Sequence, residues 1–265
     1  MFMPPLNGKL SQKDFFIYAA CDTAYFAEFG RCIIRSIQKN SNVGIHIHLY
    51  NPTDDQIEFC SLQENVSFTY EHVPLDFFTE ASQRWATVPT DPVQLIRYNR
   101  TLNAMSKSND KSIQERMQRT YYACARFIRL HEITTPGNSM LAIDADAIVR
   151  SAIPPLPLTH DLYIHRITKK DPRFLAGGIY LTGNAGGYSF LSEYAKTLKQ
   201  HIESNNLYWS VDQDVLEPIV PKYNFGSLPM SYIDWSMQPG SYIWTAKGKR
   251  KELAVFINEQ QKYNS

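Results

Sequence analysis

The sequence has no run of about 18 apolar residues, the length a membrane-spanning helix needs, so no transmembrane span is expected in its 265 residues. It also carries almost no net charge, since 27 basic against 26 acidic residues leave +1. That balance gives no bulk attraction to nucleic acid, to an anionic membrane or to an acidic substrate. Cysteine is scarce and unpatterned. Cys21, Cys32, Cys60 and Cys124 form no Cys-x-x-Cys pair, and no histidine cluster completes a zinc site. They read as reduced, mostly buried thiols, which suits a reducing, cytoplasmic compartment. The opening MFMPPLNGKLSQKDFF contains two prolines and no long apolar stretch, so it does not read as a signal peptide. Internal repeats and low-complexity tracts are absent as well.

What is present fits one globular domain with a large core: 43% of the residues are hydrophobic. Aromatics reach 13%, and Tyr and Trp suit surfaces that are apolar on one side and wet on the other, as sugar-binding surfaces are. FFIYAA (15–20), IHIHLYN (45–51) and VSFTYEHV (66–73) read as strands. Between the first two, Phe26, Phe29, Ile33, Ile34 and Ile37 recur at helical spacing. This order predicts an α/β nucleotide-binding lobe. The stretch from Thr79 to Gln118 is polar and basic, and reads as a helical insertion or lid carrying Trp85. A helix over Thr120–Ile133, strands over 160–167 and 174–183, and helices over 185–204 and 210–220 follow.

The segment SMLAIDADAIVRSAIP (139–154) sets Asp144 and Asp146 inside an apolar, strand-like run. Two buried, unpaired carboxylates would cost several kcal/mol each. One relief is a strand end that opens onto a divalent cation, because ligands of α/β sheets bind at the carboxyl ends of strands and paired oxygen ligands suit Mg²⁺ or Mn²⁺. The other is a β-turn with both acids solvated. Spacing alone does not decide, since the composition gives about 0.7 Asp-x-Asp pairs by chance. Two are present, the second being Asp212/Asp214, where acids also suit a helix N-terminus.

FFIYAACDTAYF, YYACARFIRL, LAIDADAIVR, FLAGGIYLTG and SVDQDVL occur in one order over roughly residues 15–220. That constellation resembles the glycogenin-like and lipopolysaccharide galactosyltransferase-like family (glycosyltransferase family 8-like), retaining nucleotide-sugar glycosyltransferases of the GT-A fold. The resemblance implies an α/β GT-A-like fold with a mostly parallel central sheet flanked by helices. It implies a nucleotide-diphosphate donor, a UDP-sugar, and a glycan, lipid or protein acceptor. By the same resemblance Asp144 and Asp146 are the ligands of Mn²⁺ or Mg²⁺. Ala19, Ala20 and Asp22 match the loop that holds the uracil and ribose. Arg126 matches a donor-contacting arginine, for which a guanidinium fork is apt. Ala176, Gly177 and Gly178 match a strand that lets the backbone approach the sugar. Asp212 and Gln213 match the acid–glutamine pair beside the anomeric carbon.

Two positions depart from the pattern. The family's C-terminal His-x-x-Gly-x-x-Lys is matched here by TAKGKRK: Gly248 and Lys251 fit, but Thr245 stands where the third metal ligand is expected. Leu175 stands where the family often has Asn before Ala-Gly. In the implied reaction a divalent ion on Asp144 and Asp146, with Lys247, Lys249, Arg250 and Lys251 nearby, takes up charge on the departing diphosphate. Gln213 acts either as a weak nucleophile or as a dipole beside the sugar. Two rival readings stay open. A Mg²⁺-dependent phosphatase or nucleotidyltransferase would also use Asp-x-Asp, though haloacid-dehalogenase-like phosphatases place it on the first strand. A non-catalytic nucleotide-sugar or glycan binder would keep the fold and tolerate the departures.

Overall fold

A computed structural model describes residues 3–10, 13–41, 43–108, 110–167 and 173–264, with the side chain of Leu75 left aside. In chain order its elements are β1 (Asn7–Lys9), β2 (Phe15–Asp22), α1 (Thr23–Tyr25), α2 (Arg31–Asn40), β3 (Gly44–Tyr50), α3 (Asp54–Leu62), β4 (Val66–Glu71), α4 (Leu75–Gln83), α5 (Pro92–Ser106), α6 (Ile113–Ile133), β5 (Ser139–Ile143) and β6 (Ala147–Val149). Then come β7 (Leu162–Ile167), β8 (Arg173–Thr182), α7 (Ala185–Glu203), α8 (Val211–Ile219), β9 (Phe225–Ser227), β10 (Ile243–Thr245) and α9 (Ala254–Asn264).

Eight strands form one sheet in the order β1-β4-β3-β2-β5-β8-β7-β9, while β6 and β10 make a separate two-stranded ladder. Strands β2, β3, β4 and β5 are mutually parallel, and β7 is parallel to β9. Only β1 and β8 pair antiparallel within this sheet. The mostly parallel α/β sheet flanked by helices matches the sequence expectation.

Apolar layers cover both faces, which is why the central strands read as unbroken hydrophobic runs. Along β2, Phe16 and Tyr18 enter the layer under α6 and α7, while Ile17, Ala19 and Cys21 enter the layer under α2. This alternation is the period of two that a strand imposes. On β3, His46 and His48 are fully buried. The ring nitrogens of His46 meet Ser67 Oγ at 2.9 Å and Thr69 Oγ1 at 3.0 Å, and burial lowers its pKa to about 3.

Helix α6 begins seven residues before the expected Thr120. Ser112 caps it, accepting the Glu115 amide at 3.1 Å, and Glu115 in turn accepts the Lys111 amide at 2.7 Å. The Ser-x-x-Glu sequence was the available signal. The expected insertion 79–118 therefore resolves into the end of α4, the whole of α5 and the first turns of α6, with Asn109 outside the described residues. Among the described residues no helix is long and apolar enough to cross a membrane.

Candidate functional site

The parallel strands β2, β3 and β5 end on one edge of the sheet, at Asp22, Tyr50 and Ile143, and the expected residues gather there. Asp22 caps α1 by accepting the Tyr25 amide at 2.8 Å. Burial raises its pKa, with Arg119 opposing. Asp22 lines a cavity of about 410 Å³ with Ala24, Tyr50, Asn51, Gln118 and Tyr122. The rings of Tyr50 and Tyr122 stack at 4.2 Å, and Asn51, left-handed at φ 51°, donates to the Tyr122 hydroxyl at 3.4 Å. Of the two alanines placed at this loop, Ala20 is half-buried and Ala19 lies wholly inside the sheet.

The run 139–154 is not one continuous strand. β5 stops at Ile143, the chain bends at Ala145 and Asp146, and β6 leaves the main sheet to pair with β10. The turn therefore exists, yet Asp146 is only 6% exposed. Each acid has its own cation. Arg126 Nη1 donates to Asp144 Oδ1 at 2.6 Å, and Lys251 Nζ lies 2.9 Å from Asp146 Oδ2. Tyr25 donates to the same Asp146 oxygen at 3.2 Å and accepts a hydrogen bond from Lys251. Burial, followed by the charge of Asp144, raises the Asp146 pKa, while burial lowers that of Lys251 to about 8. The contact between the two opposes both shifts.

Arg126 joins three parts of the chain. Besides Asp144, its Nη2 donates to the Ala176 carbonyl at 2.9 Å and lies 3.8 Å from Asp212 Oδ2. Burial alone would lower its pKa, but Asp144 and Asp212 outweigh that and hold it raised. Burial pushes Asp212 upward, Arg126 pulls it down and Asp144 adds to the rise. Beside it, Gln213 Oε1 is buried and makes no hydrogen bond among the described residues. The two glycines of β8 face opposite ways. A Cβ on Gly177 would stand 2.8 Å from Asp144 Oδ2, whereas one on Gly178 would meet Ile233 Cγ2 at 2.4 Å. Gly177 thus makes room for the carboxylate and Gly178 for core packing. Leu175 is buried at 4%.

The tail reaches the acids through β10. Asp234 organises the preceding turn, accepting the Ser236 and Gln238 amides at 2.7 and 2.6 Å and the Ser241 hydroxyl at 2.6 Å. The β10–β6 register sets Thr245 opposite Ala147, and the Ala246 amide donates to the Asp146 carbonyl at 3.2 Å. Thr245 is 2% exposed, and its hydroxyl has no partner among the described residues. Gly248 takes φ +64°, a conformation side chains resist. It opens the short turn that returns Lys251 to Asp146. Lys247 adds its field, lowering both Asp146 and Asp212.

Trp85, on the segment expected as an insertion or lid, is buried at 7% and stacked on Tyr98 at 5.8 Å. Trp209, which sequence reading passed over, lines a cavity of about 500 Å³ beside α5. Helix α5 is fastened to the segment before α8. Thr101 accepts the Trp209 amide at 3.1 Å, Arg97 lies 4.4 Å over the Tyr208 ring, and Arg100 Nη1 grips both oxygens of Asp214 at 2.8 and 2.7 Å. Arg116, from α6, lies 4.2 Å over the Trp209 ring.

Asp144 and Asp146 fit the divalent ion the sequence implies. They offer hard oxygens at a strand end, and the like-charge pressure on Asp146 is what a cation relieves. Among the described residues no third His, Cys, Asp or Glu completes a cluster, so a nucleotide's phosphates would have to supply further oxygens.

No family model and no curated protein matches the chain. Solved structures do. WbbM, a bifunctional glycosyltransferase, aligns with TM-score 0.53 and 13% identity over 96% of this chain and 50% of its own. The galactosyltransferase LgtC, in complex with donor and acceptor sugar analogues, aligns with TM-score 0.52 and 11% identity, covering 94% of this chain and 96% of LgtC. GlyE from Streptococcus pneumoniae gives TM-score 0.53 and 12% identity over 94% of this chain and 60% of GlyE. The fold is that of the GT-A glycosyltransferases. At these identities the likeness concerns the fold, and this chain spans only 50% of WbbM and 60% of GlyE.

Proposed function

We propose that the protein is a glycosyltransferase of the glycosyltransferase family 8-like type, moving a hexose from a UDP-sugar to a hydroxyl acceptor with retention of anomeric configuration. The observation that carries this reading is Arg126 holding Asp144 and Asp212 together, 2.6 and 3.8 Å away. It brings the Asp-x-Asp bend and the acid–glutamine pair, far apart in sequence, to one place at the carboxyl ends of parallel strands. The cavity beside Asp22, walled by Tyr50 and Tyr122, takes the nucleoside. Arg126, Lys247 and Lys251 then lie where a diphosphate leaving group gathers charge, and fixed cations there stabilise its departure. Asp144 and Asp146 would hold Mn²⁺ or Mg²⁺, which, when bound, neutralises charge on the diphosphate. Gln213, its carbonyl unsatisfied, offers a dipole to positive charge developing on the sugar. The four free, buried cysteines support a reducing, cytoplasmic setting.

The test is release of nucleoside diphosphate from UDP-sugars with Mn²⁺ and a saccharide acceptor, the product's anomeric configuration being read by NMR. Inorganic phosphate as the product would favour a phosphatase. Tight binding of UDP without turnover would favour a binder. The phosphatase alternative is weakened by the place of the acids after β5 rather than after the first strand.

A further inference from the structure

Gln118 and Tyr122 stand one turn apart on α6, so both reach the nucleoside cavity from the same face of the helix. Their hydrogen bonds fix what each has left to offer. Asn51 Oδ1 accepts the Val73 amide at 2.6 Å, which turns Asn51 Nδ2 towards the Tyr122 hydroxyl at 3.4 Å. The same hydroxyl accepts a hydrogen bond from Gln118 Nε2 at 2.7 Å. A phenolic oxygen has two lone pairs and one proton. With both lone pairs taken, the proton is free for a third group. The Gln118 carboxamide, having turned its N–H to Tyr122, keeps Oε1 as an acceptor, and no donor meets that oxygen among the described residues.

The pair is held rather than loose. The Tyr122 ring stacks on Tyr50 at 4.2 Å, and the Tyr50 hydroxyl donates to the Tyr122 carbonyl at 3.1 Å. Burial pushes the Tyr122 pKa up to about 12, so the donor proton is present throughout the neutral range. Asp22, on the same cavity, is engaged as the cap of α1 through the Tyr25 amide. A neutral donor beside a neutral acceptor suits a flat heterocycle that presents the complementary pair along one edge.

We propose that Gln118 and Tyr122 read the base of the nucleotide: the Tyr122 hydroxyl donates to a ring carbonyl, and Gln118 Oε1 accepts from the neighbouring ring N–H, the edge that uracil presents. The inference rests on the nucleotide-sugar reading and adds the residues that choose its base. Cytosine in the same pose has a lone pair at N3, which would face Oε1 and oppose two acceptors. To bring its amino group there it must turn by one ring position, against the ribose and diphosphate that it shares with uracil. Guanine offers the same carbonyl and N–H on a larger ring system.

Calorimetry on the whole chain with Mn²⁺ measures the binding of UDP, CDP and GDP. UDP is expected to bind at least about tenfold tighter than CDP, which leaves Oε1 without a proton to accept. In Gln118→Met, which keeps the length of the side chain but removes the acceptor, that preference should vanish, with the melting temperature confirming the fold. GDP bound more tightly than UDP, with its advantage lost in Gln118→Met, would support the same edge and make guanine the base. Equal affinity for UDP and CDP, or a preference undiminished in Gln118→Met, would overturn the proposal. A preference that vanishes only in Asp22→Asn would overturn it too, by giving the ring N–H to Asp22. No affinity for any of the three would overturn the donor reading along with it. Selective binding of UDP without its release from UDP-sugars counts against transfer alone and supports the base contact.

Discussion

Replacing Gly177 by alanine should separate activity from stability. The added Cβ would stand 2.8 Å from Asp144 Oδ2 and 3.5 Å from Asp144 Cγ, so the carboxylate must retreat by about half an ångström to reach ordinary contact. It has little freedom to do so, because its other oxygen is held 2.6 Å from Arg126 Nη1. Arg126 is itself tied to the Ala176 carbonyl at 2.9 Å. The displacement thus spreads to Arg126 and towards Asp212. A misplacement of about 1 Å costs up to about 100-fold in rate, so this half-ångström shift should cost roughly tenfold, about 1.4 kcal/mol of transition-state stabilisation. The cost to the fold should be small beside that of Gly178→Ala, because the atom displaced is the end of a side chain rather than core packing. Gly177 does not use a left-handed φ, and Gly→Ala at a compatible position gains about 0.4–1 kcal/mol through the unfolded chain. Gly178→Ala is the opposite control, since its Cβ would strike Ile233 Cγ2 at 2.4 Å, and such overpacking costs about 1–3 kcal/mol. Nucleoside diphosphate release and urea midpoints measure both. Wild-type turnover in Gly177→Ala would refute the placement of Asp144 in the reaction.

Asp146→Asn should lose turnover and lower the melting temperature, because the gain from removing a charge that burial and Asp144 disfavour is opposed by leaving Lys251 without its carboxylate partner. Asp144→Asn should lose turnover with the fold intact. Undiminished turnover in either would contradict the assignment. Mn²⁺ and UDP should each raise the other's affinity by the same factor, and Thr245→His should raise affinity for Mn²⁺ alone; calorimetry with and without UDP reads both. Acid should destabilise the protein through β3. The folded His46 pKa of about 3 lies below the ordinary 6.5, so the unfolded chain binds more protons and stability is lost as pH falls below 6.5. The loss is about 2 kcal/mol by pH 5, with His48, also lowered by burial, adding to it. Urea midpoints that stay flat from pH 6.5 to 5 would count against this.

The central strands were legible because burial on both faces writes itself into sequence as apolar, β-branched runs. The three-residue strands β6, β9 and β10 were not, since they exist only through pairing with distant partners. Aromatic residues failed for a related reason. Nothing local distinguishes Trp85, which stacks on Tyr98, from Trp209, which lines a cavity; tertiary packing alone separates them. The acids were visible as a break in a hydrophobic run. Their partners were harder to find, because the Arg126–Asp212 contact joins residues 86 positions apart and no periodicity carries that. Resemblance to a family located Arg126 and Lys251, while the room that Gly177 leaves for Asp144 emerged only from the geometry.

The pairing of each acid with an internal cation has an energetic consequence for donor binding. Lys251 lies 2.9 Å from Asp146 and against the Tyr25 ring at 4.2 Å, so its ammonium is already satisfied within the protein. A diphosphate that recruits Lys251 must draw it from Asp146, leaving a carboxylate at 6% exposure with one partner fewer, and breaking a buried pair is costly. On the proposed reading, a divalent ion held by Asp144 and Asp146 together with a nucleotide would restore positive charge at Asp146 while Lys251 faced the phosphate. Such an exchange would be favourable only with both bound, which would account for the expected mutual enhancement. Replacing Lys251 by methionine keeps the apolar stem and removes the competitor. Mn²⁺ should then bind more tightly without UDP, and UDP should add less to it. A Lys251→Met protein in which UDP still enhances Mn²⁺ as strongly as in the wild type would show that the lysine takes no part in the coupling.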